Sequence, residues 1–242
     1  SDGFNQNGVK RMRKKSRQTK EKLKMGTGSG ADYKPWIQVG EFGSVGTAGR
    51  VVDWKTGRVV HLMSQAEIYF WYVLRWNDEV LDVREQIPLD LETTERIAEA
   101  YGICHPSKNG KSVIMTTDFL VDTNGGSTAF SVKHTAAFSE RTLEKLFLEQ
   151  QYWMCKDVPW KLVTVNDFDM LAARNIRDIV TFYNVTDFTD RISFLKFLVA
   201  RKYIQIDIHK DLDWQELCIT HNDEIEQFEK MNAEILSLPY KA

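Results

Sequence analysis

The sequence TTDFLVDTNGGSTAFSVKH, residues Thr116–His134, decides how the chain is organised. Two segments of alternating polar and apolar residues flank the Asn-Gly-Gly at 124–126, which predicts two short strands joined by a tight turn. Side chains alternate between the faces of a strand, so we expect Asp118 to face a neighbouring strand that carries Lys133. A carboxylate opposite a lysine is the arrangement with which metal-dependent nucleases hold a cation against a phosphate. The same pattern is typical of a surface ion pair, and the hairpin alone leaves both interpretations open.

The composition is that of a globular protein, with 43% apolar and 27% charged residues in a chain of 242. This length suffices for one main core and a smaller companion domain. No apolar run approaches the ~20 residues of a membrane-spanning helix, and the polar, basic start lacks the apolar core of a secretory signal. Three widely spaced cysteines without a C-x-x-C pair indicate free thiols in a reducing compartment. We therefore expect a cytoplasmic protein without a membrane partner.

The formal net charge of -2 hides an asymmetry. The segment from Lys10 to Lys24 holds nine basic residues and one acid, whereas the rest of the chain holds 23 basic and 33 acidic residues, which gives it a net charge of -10. A basic arm on an acidic body predicts contact with a phosphate-rich partner, although a solvated tail or a localisation signal has the same composition. The candidate DNA-binding residues in this arm are Lys10, Arg11, Arg13, Lys14, Lys15 and Arg17.

The pattern along the chain divides it into three parts. Residues 1–30 lack apolar periodicity and end in a Gly-rich stretch, which predicts a basic flexible arm. Residues 31–165 combine a hairpin, a helix opened by Ser64, a strand at 80–88, the central strand pair, a long helix opened by Ser139 and a last strand. This order is typical of an α/β fold with a mixed sheet flanked by helices.

Residues 166–242 have a different character. Two helical patterns are followed by alternating isoleucines at Ile204, Ile206 and Ile208, and residues 214–220 have a composition that suits a returning strand. Two helices followed by a two-stranded wing predict a small winged-helix-like domain, which ends in an acidic helical tail.

A further candidate carboxylate is Glu67. The spacing Ser64-x-x-Glu67 is that of a capping box at the start of a helix, which offers Glu67 a purely structural role. A carboxylate at a helix N-terminus can also be presented to a metal, so the two roles are compatible.

Five segments, taken in this order, resemble the TnsA family, the restriction-endonuclease-like subunits of heteromeric cut-and-paste transposases. They are DYKPW at 32–36, KTGRVVHL at 55–62, LDVREQIPL at 81–89, TDFLVD at 117–122 and ERTLEKLFLEQQYW at 140–153. The resemblance is close over residues 31–165 and looser to about residue 220. It implies a restriction-endonuclease-like domain followed by a winged-helix-like domain.

The resemblance also implies a catalytic set of a helix Glu, a strand Asp and a Gln-x-Lys on the next strand. By motif these fall on Glu67, Asp118 and Lys133, and Glu149 matches an acid near the family's site. Ser131 stands where the family has Gln, and its shorter side chain puts one metal ligand in doubt. Glu67 and Asp118 are hard oxygen ligands suited to Mg²⁺ or Mn²⁺, with Ser131 and the Val132 carbonyl as further candidate ligands. Lys133 would assist the attack on the phosphate.

The implied activity is hydrolysis of double-stranded DNA at the 5′ ends of a transposon during excision. The implied partners are a TnsB-like transposase of the DDE type, which joins the 3′ ends, and a TnsC-like AAA+ regulator, so the chain would work at the nucleoid of a prokaryotic cell. Two alternatives remain open: a stand-alone nuclease of the same fold, and a DNA-binding adaptor whose catalysis is weakened because Ser131 replaces the family Gln.

Overall fold

The structure, a computed structural model, describes residues 15–41, 47–135 and 137–231. Within these ranges no helix has both the length and the apolar character needed to cross a membrane. The chain divides into two units, residues 1–167 and 168–242. This division lies two residues beyond the boundary that the sequence pattern suggests.

In the described ranges, the first unit contains four α-helices, one short 3₁₀ helix (Gly30–Asp32) and eight strands. The helices are α1 (Arg17–Lys22), α2 (Gln65–Trp76), α3 (Leu91–Ala100) and α4 (Glu140–Met154). The strands are β1 (Gly49–Val52), β2 (Val59–Leu62), β3 (Val80–Pro88), β4 (Ser107–Lys108), β5 (Lys111–Ser112), β6 (Thr116–Thr123), β7 (Gly126–Lys133) and β8 (Trp160–Thr164). The central hairpin and the long helix that opens after Ser139 thus form where the sequence predicts them.

The main sheet has four strands in the order β3-β6-β7-β8. The pairs β3–β6 and β6–β7 are antiparallel, whereas β8 lies parallel to β7. The parallel pair requires a crossover connection, which α4 provides. The predicted α/β architecture with a mixed sheet is therefore confirmed.

Helices cover both faces of this sheet. Ala129 on β7 belongs to an apolar cluster that includes Ile97 of α3 and Leu148 of α4. The next residue, Phe130, lies 5.4 Å from the ring of Phe70 on α2. Successive residues of a strand point to opposite faces, so α2 packs on one face and the α3–α4 pair on the other.

The flexible-arm prediction is wrong for the part of the arm that the structure describes. Residues 17–22 form α1. Lys20 is buried, and its ammonium lies 2.7 Å from the Glu41 carboxylate, which compensates the buried charge. Met25 is buried, and Gly26, with φ +79°, lies so close to Pro88 that a Cβ would clash with its ring. Periodicity over so short a segment could not reveal these tertiary contacts, and residues 1–14 lie outside the described ranges.

The predicted two-stranded wing is also wrong. The described part of the second unit contains only helices: α5 (Met170–Val180), α6 (Arg191–Ala200), α7 (Trp214–Thr220) and α8 (Asn222–Lys230). The Asp213 carboxylate accepts hydrogen bonds from the backbone amides of Gln215 and Glu216, and this cap starts a helix where we expected a strand. A winged-helix-like domain is therefore not confirmed, and residues 232–242 of the predicted acidic tail lie outside the described ranges.

Candidate active site

Glu67 lies in the first turn of α2 and is 4% exposed. The Ser64 hydroxyl caps the helix by accepting from the Glu67 amide at 3.2 Å and donates to Glu67 Oε1 at 2.9 Å. Glu67 Oε2 accepts from the Met63 amide at 2.9 Å. The capping interaction therefore fixes the rotamer of Glu67 and does not take its carboxylate away from the sheet.

Asp118 and Lys133 meet across the central hairpin, as the sequence predicts. Asp118 Oδ2 accepts from Lys133 Nζ at 3.0 Å and from the Val132 amide at 2.8 Å. Lys133 Nζ also donates to the Val132 carbonyl at 3.0 Å. Each side chain is partly exposed, 14% for Asp118 and 33% for Lys133, so this pair is accessible to a substrate.

Gln86 joins Glu67 to Asp118, and sequence reasoning did not assign it. It lies on β3 between the residues paired with Phe119 and Thr117, which places it across from Asp118. Its side-chain amide is 3.3 Å from Glu67 Oε2 and 3.5 Å from Asp118 Oδ1, and its oxygen accepts from the Thr116 hydroxyl at 3.1 Å. The backbone of Gln86 is left-handed, with φ +52°. The available indication was the polar run Arg84-Glu85-Gln86, which interrupts the alternation of β3. In the structure, residues 85–87 are all buried.

Ser131 and Glu149 form a second polar cluster. The Ser131 hydroxyl lies 2.7 Å from both oxygens of Glu149, which projects from α4 and is 5% exposed. Nearby, the Trp153 indole donates to the Thr117 hydroxyl at 2.6 Å. The structure therefore brings Ser131 to Glu149, and the sequence did not predict this pairing or the contribution of Thr117.

Burial and like charge raise the pKa values of two carboxyls here. Desolvation, followed by the charge of Asp118, raises the pKa of Glu67 to about 8, against the lowering effect of hydrogen bonds from Met63 and Ser64. The same two causes raise the pKa of Glu149 to about 7. Desolvation lowers the pKa of Lys133, but the neighbouring carboxylates, Asp118 foremost, outweigh it and raise that pKa above its usual value. Lys133 thus stays protonated at neutral pH, whereas Glu67 and Glu149 ionise less readily than an ordinary glutamate.

This charge pattern fits a cation that completes its coordination with water and substrate. In the described ranges, no group of three or more His, Cys, Asp and Glu side chains is arranged as a metal cage. Mg²⁺ is commonly bound by only one or two carboxylates together with waters and phosphate oxygens. Glu67 and Asp118 supply two carboxylates held near each other by Gln86, and a divalent cation would relieve the repulsion between them.

Of the predicted DNA-binding residues, the structure describes Lys15 and Arg17. Lys15 donates to Gln38 at 2.8 Å and lies 4.0 Å from Glu41, and Arg17 pairs with Glu21 at 2.7 Å on the exposed side of α1. Lys10, Arg11, Arg13 and Lys14 lie outside the described ranges.

Comparison with known families agrees with this geometry. Residues 77–165 match the family model of the TnsA-like endonuclease N-terminal domain. This part of the chain is therefore similar to TnsA-like endonuclease domains. The match includes Asp118, Ser131, Lys133 and Glu149, whereas Glu67 precedes it and is assigned by its contacts with the site.

A characterised relative supports the same conclusion. The transposition protein TnsA of transposon Tn7 from Escherichia coli is 44% identical to the chain over 155 residues. The aligned region covers 62% of this chain and 57% of the Tn7 protein, so the chain spans little more than half the length of that relative. The resemblance to the TnsA family that the sequence motifs indicate is confirmed.

Proposed function

We propose that the protein is a metal-dependent DNA endonuclease subunit of a transposase, which hydrolyses phosphodiester bonds at the 5′ ends of a transposon. One observation carries the proposal: Glu67, Asp118 and Lys133, from one helix and two strands, converge around the Gln86 amide and the Val132 backbone. The TnsA-like domain supplies the context of transposition.

The chemistry follows from the residue types at the site. Glu67 and Asp118 would hold Mg²⁺ or Mn²⁺, which supplies a Lewis acid and lowers the pKa of a water molecule. The Val132 carbonyl and Ser131 remain candidate ligands, although Lys133 and Glu149 now engage them. Because Lys133 keeps its proton, it would donate to the scissile phosphate and stabilise the developing negative charge, and would not act as a general base. Glu149 would support the site through Ser131.

The proposed substrate is the double-stranded DNA of the transposon ends. The proposed partners are a TnsB-like transposase, which would process the 3′ ends, and a TnsC-like AAA+ regulator. These partners are inferred from the resemblance to the TnsA family, and the protein would act on the DNA of a prokaryotic cell.

The test is a nicking assay with transposon-end duplex, the partner transposase and Mg²⁺, in which cleavage of each strand is followed on a sequencing gel. We expect Asp118→Asn and Lys133→Met to lower 5′ cleavage by at least about 100-fold, the usual effect of losing such a group. Lys161→Met removes an exposed lysine from β8 and is the matched control.

Undiminished 5′ nicking by Asp118→Asn would refute the proposal. Cleavage by the protein without any partner would identify a stand-alone nuclease. Wild-type protein that supports 3′ joining without 5′ nicks would identify the adaptor that the Ser131 replacement suggests.

A further inference from the structure

A basic groove lies on the first unit, between the start of α1, the β4–β5 hairpin and the first two turns of α4. Its volume is about 570 Å³. Six cations line it, and none of the lining residues is acidic: Lys15, Arg17, Lys20, Lys108, Arg141 and Lys145. Lys15, Arg17 and Lys20 come from the basic segment at 10–24, and the other three cations come from the rest of the chain, which has an excess of acidic residues.

The cations of the groove are of three kinds, and Lys15 belongs with Lys20 because both lie within 4.0 Å of Glu41. Lys20 is structural, because it is buried against Glu41. Arg17 and Arg141 pair with an exposed and a partly exposed acid, respectively, on their own helices, and such pairs exchange readily for another anion. Lys108 and Lys145 are exposed, and no carboxylate in the described ranges is paired with either. The groove therefore offers positive charge that the protein does not neutralise.

The β4–β5 hairpin adds an independent observation. Lys108 and Lys111 are directly opposite each other on its two-residue strands, joined by Asn109 and Gly110 in left-handed conformations. Like charges directly opposite each other on paired strands repel and destabilise the hairpin. An anion bound at this tip would remove the repulsion, so the hairpin favours a ligand with negative charge.

The groove also points toward the candidate active site. Arg141, Lys145 and Glu149 are spaced by four residues along α4 and thus lie along one side of the helix. At 1.5 Å per residue, Lys145 is about 6 Å and Arg141 about 12 Å from Glu149 along the helix axis. Successive phosphates on one DNA strand are separated by a similar distance, so a strand leaving the site would meet these cations in turn.

We propose that this groove binds the sugar–phosphate backbone of duplex DNA beside the bond that is cut. The inference rests on the proposed function, since the position of the groove matters only if DNA reaches Asp118. The phosphate contacts are Lys108 and Lys145, which line the groove, and Lys111, which lies opposite Lys108 on the hairpin. Arg141 and Arg17 join them when their acids are displaced.

The experiment measures the salt dependence of DNA binding. A fluorescent 30-base-pair duplex is titrated with full-length protein by anisotropy in EDTA, which prevents cleavage, at several salt concentrations. The test variant is Lys108→Ala/Lys111→Ala/Lys145→Ala. The control is Lys34→Ala/Lys156→Ala/Lys161→Ala, which removes the same charge from exposed lysines outside the groove. Both variants are first compared with the wild type by thermal melting.

Each phosphate contact contributes about 0.9 to the slope of log Kobs against log[salt]. This slope is negative, so we expect that of the groove variant to become less steep by about 2–3 and that of the control to stay at the wild-type value. Equal slopes for the two variants would overturn the proposal. The proposal would also be overturned if the groove variant kept its affinity for the duplex but lost the affinity of the wild type for poly-glutamate. The groove would then be a surface for an acidic protein.

The nicking assay separates this inference from the proposed function. If the groove variant shows a flattened slope but the wild-type protein never cuts DNA, the groove proposal stands and the proposed nuclease function is refuted. Normal cutting with an unchanged slope in the groove variant would refute the groove alone.

Discussion

The Glu67 carboxyl is subject to opposing influences. Burial and the negative charge of Asp118 favour its protonated form, whereas hydrogen bonds from Met63 and Ser64 favour the ionised form. The first two prevail, since the pKa of Glu67 rises to about 8 from its ordinary value of 4.5. Without a bound cation, the folded protein keeps this proton at neutral pH, whereas the unfolded chain releases it.

This difference predicts how stability varies with pH in EDTA. Between pH 4.5 and 8 the unfolded chain holds fewer protons than the folded one, so the contribution of Glu67 to stability falls as pH rises and is constant above pH 8. Glu67→Gln removes this titration. We expect its stability relative to wild type to improve by at least about 1.4 kcal/mol between pH 5 and 8.5, the equivalent of one pKa unit.

Denaturant unfolding at both pH values measures this change. Glu99→Gln, which alters an exposed carboxyl on α3, controls for the exchange of acid for amide. A difference between Glu67→Gln and wild type that is the same at pH 5 and 8.5 would contradict the explanation.

Gln86 illustrates how a residue outside the expected set can organise a site. It is 3% exposed, and its amide group contacts both carboxylates that we expect to hold the cation. A left-handed backbone at a residue other than glycine costs free energy, and such strain is commonly found where the surrounding structure imposes it at a functional site. Gln86 therefore acts as a positioning residue for Glu67 and Asp118.

Two substitutions separate positioning from a general loss of packing. Gln86→Ala keeps the same backbone requirement but releases the carboxylates, so we expect Mn²⁺ affinity to fall about 10-fold, as for other partners of metal ligands. Gln86→Glu keeps the shape and adds a third acid, so it should destabilise the metal-free protein and tighten Mn²⁺ binding.

Titration calorimetry with Mn²⁺ gives the affinities, and melting in EDTA gives the stabilities. Gln151→Ala, a glutamine on α4 that accepts from the Tyr101 hydroxyl, is the control. A parallel loss of stability and affinity in both Gln86 variants would mean that Gln86 serves packing alone.

At the scale of the elements, a buried ion pair fixes β3 against the β1–β2 hairpin. The Arg58 guanidinium lies 2.8 Å from Glu85, which is completely buried and also accepts from the His61 amide. Arg58 further donates to the Val83 carbonyl on β3 at 3.0 Å. Because Glu85 precedes Gln86, this pair holds the strand that carries the positioning residue.

Breaking this pair should be costly. Arg58→Leu leaves the Glu85 carboxylate buried without its cation, which typically destabilises a protein by about 3–5 kcal/mol. Arg17→Leu breaks the exposed pair with Glu21 and should cost less than about 1 kcal/mol. Urea unfolding measures both values, and Arg58→Leu/Glu85→Gln should recover part of the loss. Similar losses for Arg58→Leu and Arg17→Leu would show that the buried pair has no special role.

The accuracy of the sequence predictions follows the range of the interactions that form each element. Alternation and capping residues are local, so β3, the β6–β7 hairpin and α2 form close to where they were expected. The helix at Trp214–Thr220 was missed because the cap at Asp213 outweighs a weak strand pattern. Gln86 and the Ser131–Glu149 pair depend on contacts between residues distant in sequence, which periodicity does not register.

At the scale of the whole molecule, the described part of the basic arm, from Lys15 onward, is continuous with the first unit. The described part of the arm is integrated into the first unit through Lys20, Met25 and Gly26, so its removal would disturb the fold. Four of the nine basic residues of the segment, however, lie at positions 10–14, before this integrated part begins. A deletion that ends at residue 14 therefore removes charge and spares the contacts of α1.

This boundary allows a clean test of the arm as a DNA contact. Deletion of residues 1–14 removes Lys10, Arg11, Arg13 and Lys14. The negative slope of log Kobs against log[salt] for a 30-base-pair duplex should therefore become less steep by up to about 3.6. A full-length variant with these four residues changed to Gln removes the same four cations but keeps Asp2, and it should give a similar slope. Deletion to residue 30, in contrast, should also lower the melting temperature, because Lys20 and Met25 are lost. If the slope is insensitive to the four charges, the DNA contact of the arm is refuted and the groove beside α4 must provide the phosphate contacts alone.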